Sequence, residues 1–94
     1  MLSIFVIPDF ELVAEKRECL GAEEFVGKFP TVDECALKCR GKSNLFAYAR
    51  VGSSRCEGTT CRCFCESDSA GGECTKGQEP DEKYDLYRYK QGKY

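Results

Sequence analysis

Three cysteines occupy every second position of the stretch CRCFCE, at Cys61, Cys63 and Cys65. Alternate side chains of a β-strand share one face, so these thiols would crowd together unless other groups oppose them. The remaining cysteines of the eight are Cys19, Cys35, Cys39, Cys56 and Cys74. An even number of cysteines in a short chain predicts a disulfide framework, and with it an oxidising compartment.

Metal binding and redox catalysis are the alternatives to disulfides. The chain has no histidine and no pair of separated CxxC hooks, which tetrahedral zinc sites commonly use. Metallothionein-like chains also carry CxCxC runs but are poor in aromatic residues, whereas the six Phe and five Tyr of this chain require a core. The absence of CxxC also disfavours a thioredoxin-type centre. We therefore predict no metal site and no cofactor.

The length and charge of the chain limit its architecture and its partners. With 94 residues and no internal repeat or linker, residues 1–94 are interpreted as one domain, with 1–18 as an N-terminal strand or arm. The apolar segment at 2–7 is too short for a signal peptide or a membrane span, and we expect it to form a strand. A net charge of −2 gives no general attraction to nucleic acid or anionic membranes. We expect a secreted protein whose signal peptide has been removed, with no nucleic-acid partner and no membrane insertion.

The stretch PTVDECALKCRGK has the clearest local pattern. Thr31 and Glu34 form a capping box, and acidic residues in the first turn and basic residues in the last turn suit the helix dipole. Gly41 is suited to the position just after the helix. The pattern predicts a helix from about Val32 to Arg40.

Strand patterns lie on both sides of this helix. The sequence predicts strands at 44–51, 61–66 and 84–89, a short strand within 21–29, and a strand or ordered arm at 10–19. Polar and glycine-rich stretches at 55–60, 67–73 and 76–83 are predicted loops.

The predicted helix supplies partners for the cysteine strand. Cys35 and Cys39 are four residues apart, which places their Cβ atoms about 6 Å apart on one helix face. Same-face positions of a strand are separated by roughly 6.5–7 Å, so a helix lying along the sheet can join two of the strand cysteines. Spacing favours, without fixing, the pairs Cys35–Cys63 and Cys39–Cys65, then Cys56–Cys61 across a short loop, and Cys19–Cys74 by elimination.

Together these stretches resemble the PAN/apple family. The matching segments are TVDECALKC for the helix with two cysteines, LFAYA for the aromatic strand after it, CRCFC for a cysteine-bearing strand and YDLYRY for the closing strand, within residues 25–89. The resemblance implies an α+β fold with one helix packed on an antiparallel sheet of about five strands. It also implies a non-catalytic binding or adhesion module that recognises extracellular protein or carbohydrate.

The chain departs from the family at one cysteine. Many members carry a cysteine three residues before the first aromatic residue of the aromatic strand, where it pairs with the second helix cysteine. Ser43 occupies that place here. Cys39 therefore needs a different partner, and the cysteine strand can provide it.

Basic residues near the helix end form the candidate ligand site. Lys38, Arg40 and Lys42 would lie close together and could bind a sulfated glycan or an acidic protein. The alternative is that Lys38 and Arg40 complement the helix dipole. Further basic residues follow at Arg50, Arg55 and Arg62.

No catalytic residues are predicted. Without histidine a serine hydrolase triad is impossible, and the early acidic residues are interpreted as solvated surface charges: Asp9, Glu11, Glu15, Glu18, Glu23 and Glu24. We therefore predict that the protein is not an enzyme. The alternative function is that of a disulfide-stapled toxin, protease inhibitor or host-defence protein, for which RCEGTTC is the best candidate for a reactive loop.

Overall fold

The computed structural model describes residues 8–90, so the strand expected at 2–7 lies outside the described residues. The single helix of this range is α1 (Val32–Cys39). The strands are β1 (Phe10–Cys19), β2 (Glu23–Phe29), β3 (Leu45–Ala49), β4 (Cys56–Glu57), β5 (Thr60–Glu66), β6 (Ser69–Ala70), β7 (Glu73–Cys74) and β8 (Gln78–Tyr89).

Most strands belong to one antiparallel sheet on which α1 packs. Its order is β1-β8-β3-β5-β2, and β4 adds a short pairing to β5. β6 and β7 form a separate hairpin. The α+β prediction of one helix on an antiparallel sheet is confirmed. Over residues 8–90, no helix has the length and apolar character needed to cross a membrane.

The ends of α1 follow the sequence pattern closely. The Thr31 hydroxyl oxygen accepts a hydrogen bond from the Glu34 N–H at 3.3 Å, and the same hydroxyl lies 3.3 Å from the Glu34 carboxylate. The helix ends one residue earlier than predicted, because Arg40 is its C-cap. Gly41 follows at φ +80°, a conformation that glycine adopts without steric cost.

Four disulfides connect the helix, the sheet and the hairpins. Two of them, Cys35–Cys63 and Cys39–Cys65, attach α1 to β5. The other two are Cys56–Cys61, which closes the β4–β5 hairpin, and Cys19–Cys74, which joins the end of β1 to β7. These are the same four pairs that the spacing of the sequence favours, and they use all eight cysteines.

An aromatic cluster lies between the sheet and the helix. The ring of Phe46 is completely buried and has centroid distances of 5.5 Å to Phe10, 5.3 Å to Tyr87 and 5.2 Å to Tyr89. The opposite face of the sheet carries a smaller buried group built on Leu45, Leu86 and Cys19. Because both faces are covered, every residue of β3 is buried.

Two predicted loops contain regular structure. The stretch 76–83 is mostly strand, since β8 begins at Gln78 and pairs there with β1. Pro80 is tolerated because β3 pairs only with a later part of β8, from Tyr84 onward, which leaves this part of the strand with one free edge. The stretch 67–73 holds the β6–β7 hairpin, whose turn residues Gly71 and Gly72 have φ of +60° and +80°, as a two-residue hairpin turn requires.

We expect all eight cysteines of the protein to be oxidised to disulfides. Without reductant, the intact mass should be eight hydrogens lower than that of the reduced chain, because each of the eight cysteines is paired. Thiol titration under denaturant should detect no free thiol. Two or more free thiols, or stoichiometric bound zinc, would contradict the disulfide framework.

Candidate functional site

Two adjoining recesses open at the C-terminal end of α1. The first has a volume of about 300 Å³ and is lined by Gly41, Lys42, Ser43, Asn44, Gly72, Tyr89 and Lys90. The second, of about 360 Å³, shares Gly72, Tyr89 and Lys90 and adds Glu11, Gly71 and Arg88. We refer to the two recesses together as the helix-end groove.

One wall of the helix-end groove is the segment that leaves the helix. Gly41 turns the chain away from the helix axis at its positive φ. The Lys42 and Ser43 N–H groups then donate hydrogen bonds to the Cys39 carbonyl, at 2.9 and 3.3 Å. Because Cys39 is itself joined to Cys65 of β5, this wall is fixed to both the helix and the sheet.

The β6–β7 hairpin forms the facing wall. Its Ser69 hydroxyl accepts a hydrogen bond from the Asn44 N–H at 3.2 Å and donates one to the Glu66 carbonyl at 2.6 Å. At its other end the hairpin is joined to β1 through Cys74 and Cys19. The two walls are thus linked by one serine side chain, and the hairpin is covalently attached to β1.

Tyr89 of β8 also lines the groove. Its hydroxyl donates a hydrogen bond to the Ala36 carbonyl of α1, and its ring packs on Phe46. Burial raises the pKa of Tyr89, and the nearby positive charge of Arg40 opposes this rise only in part. The phenol therefore stays protonated at physiological pH, and its hydroxyl is already engaged with the helix.

Three cationic side chains line the groove. Lys42 lies 3.7 Å from Glu24 in an exposed ion pair, and such pairs contribute little to stability. The Arg88 Nε donates to the Glu11 carboxylate at 2.6 Å. Lys90 is exposed, and no ion pair among the described residues involves it. Two of the three charges are thus partly neutralised by neighbouring carboxylates.

The structure brings only part of the predicted basic site together. Lys42 lines the groove, whereas Lys38 and Arg40 are exposed and lie outside its lining. Arg88 and Lys90 were not among the predicted site residues, although they occupy alternate positions of the YRYK stretch and so share a strand face. Finding them required knowing that the end of β8 passes beside the end of α1. A more distant basic residue, Arg50, is paired with Asp85 at 2.5 Å.

The RCEGTTC stretch forms a tight hairpin. Cys56 and Cys61 are directly paired across β4 and β5 and are also disulfide-bonded. Gly58 takes a φ of +59° in the turn, and Glu57 forms an ion pair with Lys28 of β2. The hairpin tip is exposed but short, and the Cys56–Cys61 disulfide joins the two strands that flank it.

Five carboxyl groups meet on the sheet side opposite α1. Direct strand pairing sets Glu23 of β2 against Glu66 of β5, and Glu18 of β1 against Glu79 of β8. Asp81 of β8 hydrogen-bonds to Glu18. We call this group the acid cluster: Glu18, Glu23, Glu66, Glu79 and Asp81. Its first two members were predicted to be solvated surface charges. Glu23 is exposed, as expected of such a charge, whereas Glu18 is half-buried beside other carboxyl groups.

Glu66 is the buried centre of the acid cluster. It is 0% exposed, and its Oε2 accepts a hydrogen bond from the Cys19 N–H at 2.8 Å. Burial raises the pKa of Glu66 to about 8, and contact with Glu23 adds to the rise. Burial and the hydrogen bond to Asp81 likewise raise the pKa of Glu18 to about 8. The pKa of Glu23 is raised by the same cause, burial.

No family model, curated protein or solved structure matches this chain.

Proposed function

We propose that the protein is a secreted, non-catalytic binding module of the PAN/apple type, and that its helix-end groove binds an anionic extracellular glycan. The observation that carries the proposal is the groove itself, whose lining includes the cationic residues Lys42, Arg88 and Lys90 together with Tyr89. Sulfates and carboxylates of a glycan suit such cations, and a sugar face suits an aromatic ring. Four disulfides are compatible with an extracellular location.

The PAN/apple assignment is supported by the way in which the helix is held. Both helix cysteines are joined to β5, and the aromatic strand that follows the helix lies at the centre of the sheet. Ser43, which stands where many members have a cysteine, donates its hydroxyl to the Leu45 carbonyl at 2.7 Å. The turn after the helix is thus held by a hydrogen bond at the position where those members have a disulfide.

Heparin binding tests the proposed groove. A column at low salt should retain the wild type weakly, because the net charge of −2 opposes binding, and retention should fall as salt screens the contacts. Changing Lys42→Ala together with Lys90→Ala should abolish retention. The melting temperature should change by no more than a few degrees, since both lysines are exposed.

The matched control replaces two exposed lysines outside the groove, Lys38→Ala with Lys83→Ala, which removes the same charge. We expect this variant to keep most of the retention. Equal loss in both variants would indicate general attraction between charges, and an unretained wild type would refute the anionic-glycan proposal.

A further inference from the structure

The acid cluster lacks the partners that buried carboxylates normally have. Among the described residues, no ion pair includes any of its five members. The Oε1 atom of Glu66 is buried and receives no hydrogen bond from a nitrogen or hydroxyl donor in residues 8–90. The side chain that interacts with the Glu66 carboxyl group by hydrogen bonding is that of Glu23. Two carboxyl groups can hydrogen-bond to each other only when one of them carries a proton.

A shared proton fits this arrangement better than a metal ion does. Around one ion, three or more ligand atoms would have to converge. In the part of the chain that the structure describes, the single group of three possible ligands within 4.8 Å of one another is Cys35, Cys39 and Cys63, and disulfides occupy these cysteines. The carboxyl groups of the acid cluster instead form pairs, Glu23 with Glu66 and Glu18 with Asp81.

We propose that the acid cluster is a proton-operated latch, which holds the end of β1 against the sheet when its carboxyl pairs share protons and loosens it when they are ionised. The latch reaches β1 through Glu18, which can hydrogen-bond to Asp81 of β8 only while one of the two carries a proton. The hydrogen bond from the Cys19 N–H to Glu66 favours the ionised form and so opposes the loosening. The latch reaches the β6–β7 hairpin through the Cys19–Cys74 disulfide. The hairpin supplies Gly72 to the helix-end groove, so the state of the latch sets how firmly that wall is held.

The charged surroundings of Glu66 favour proton uptake. The titratable groups facing the latch are Glu18 from β1, Glu23 from β2, and Glu79, Asp81 and Tyr84 from β8, with Arg55 and Arg62 near Tyr84. The two arginines act on the Tyr84 phenol. The pKa of Glu66 and that of Glu18 are raised chiefly by burial and by neighbouring carboxyl groups, and the Cys19 N–H opposes the rise at Glu66. Each additional ionised carboxylate therefore makes the next ionisation harder.

The sign of the pH dependence follows from proton linkage. In the unfolded chain these groups titrate near their ordinary value of 4.5, and in the folded protein Glu66 and Glu18 titrate at about 8. The folded state therefore binds more protons between these two values, and the free energy of unfolding falls as pH rises through that window. The chain has no histidine, so apart from the terminal amine no group of ordinary pKa titrates between about pH 5.5 and 7.5.

The test uses the wild-type protein without any ligand and is therefore independent of the glycan proposal. Urea unfolding at a series of pH values from 5.5 to 8.5 should show a steady loss of stability as pH rises. Glu66→Gln keeps the shape of the side chain and cannot ionise, so it should remove most of the slope. Carboxyl-carbon NMR of the wild type should show at least one glutamate that titrates near pH 8.

Two further variants and the addition of calcium complete the experiment. Glu18→Gln changes a less buried position and should also reduce the dependence of the free energy of unfolding on pH. This variant replaces Glu66→Gln in the test if Glu66→Gln does not fold. Glu15→Gln removes an exposed carboxylate outside the cluster and should leave the slope unchanged. The latch is overturned if every glutamate titrates below pH 6 or if the wild-type slope is flat. It is also overturned if millimolar calcium restores stability at pH 8.5 in the wild type but not in Glu66→Gln, since the ligand would then be a metal ion.

Discussion

Replacing Cys35 and Cys63 together with alanine should lower the free energy of unfolding by roughly 3–5 kcal/mol. The bridge spans 28 residues of sequence, but Cys39–Cys65 closes nearly the same loop. The chain entropy that Cys35–Cys63 alone removes from the unfolded state is therefore that of a ring of about six residues, about 2 kcal/mol. Both cysteines are 0% exposed, so the loss of their sulfur atoms also leaves a small cavity beneath α1. Equilibrium unfolding in urea measures the change. Because small domains have only about 5–15 kcal/mol in total, this variant should be marginally folded.

The hairpin bridge provides the matched control. Replacing Cys56 and Cys61 with alanine removes a disulfide that spans only 5 residues, for which the same entropy argument gives about 2 kcal/mol. Cys56 is partly exposed, so the added packing loss is smaller. The ratio of the two effects is the informative quantity. Since the two entropy terms are similar, an equal loss in both variants would show that the burial of Cys35 and Cys63 adds nothing to stability.

The helix and its disulfides were predictable because their determinants are local. The capping residues Thr31 and Glu34, and the glycine after the helix, each act within a few positions of the helix ends. The spacing of Cys35 and Cys39 then restricts which strand positions they can reach. The alternation of CRCFCE similarly specifies which side chains of β5 face the helix.

The helix-end groove could be predicted only in part because its walls come from distant segments. Lys42 follows the helix, whereas Lys90 follows the last strand and Gly72 belongs to a hairpin that was expected to be a loop. Their proximity depends on the sheet order, which places β8 beside β3. Basic residues in the sequence indicate a possible anion site, but the sheet topology decides which of them share it.

The acid cluster was missed for a related reason. Acidic residues are usually exposed, so each member alone is typical of a solvated surface. The contact of Glu23 with Glu66 depends on the register of β2 against β5, and that of Glu18 with Glu79 on the register of β1 against β8. A shift of one residue in either register would move these side chains to the opposite face of the sheet.

Phe46→Ala should lower the free energy of unfolding by roughly 3–5 kcal/mol, because truncating a fully buried phenylalanine removes its packing and leaves a cavity. Phe46 is 0% exposed and touches rings from both ends of the chain, Phe10 of β1 and Tyr89 of β8. Since Tyr89 also lines the helix-end groove, the same change should weaken heparin retention under conditions where the variant remains folded. Urea unfolding and heparin elution measure the two effects.

The control for the aromatic cluster is Phe25→Ala on β2. Phe25 is 50% exposed, packs on Phe64 and is not part of the groove lining, so its truncation should cost about 1 kcal/mol or less and leave heparin elution unchanged. If Phe46→Ala lost stability but kept full retention, the groove would not depend on the orientation of Tyr89, and binding would then depend on the lysines alone. If the two variants lost equal stability, the aromatic cluster would not be the centre of the core. The pair of variants therefore separates the packing that holds the fold together from the packing that orients the proposed binding surface.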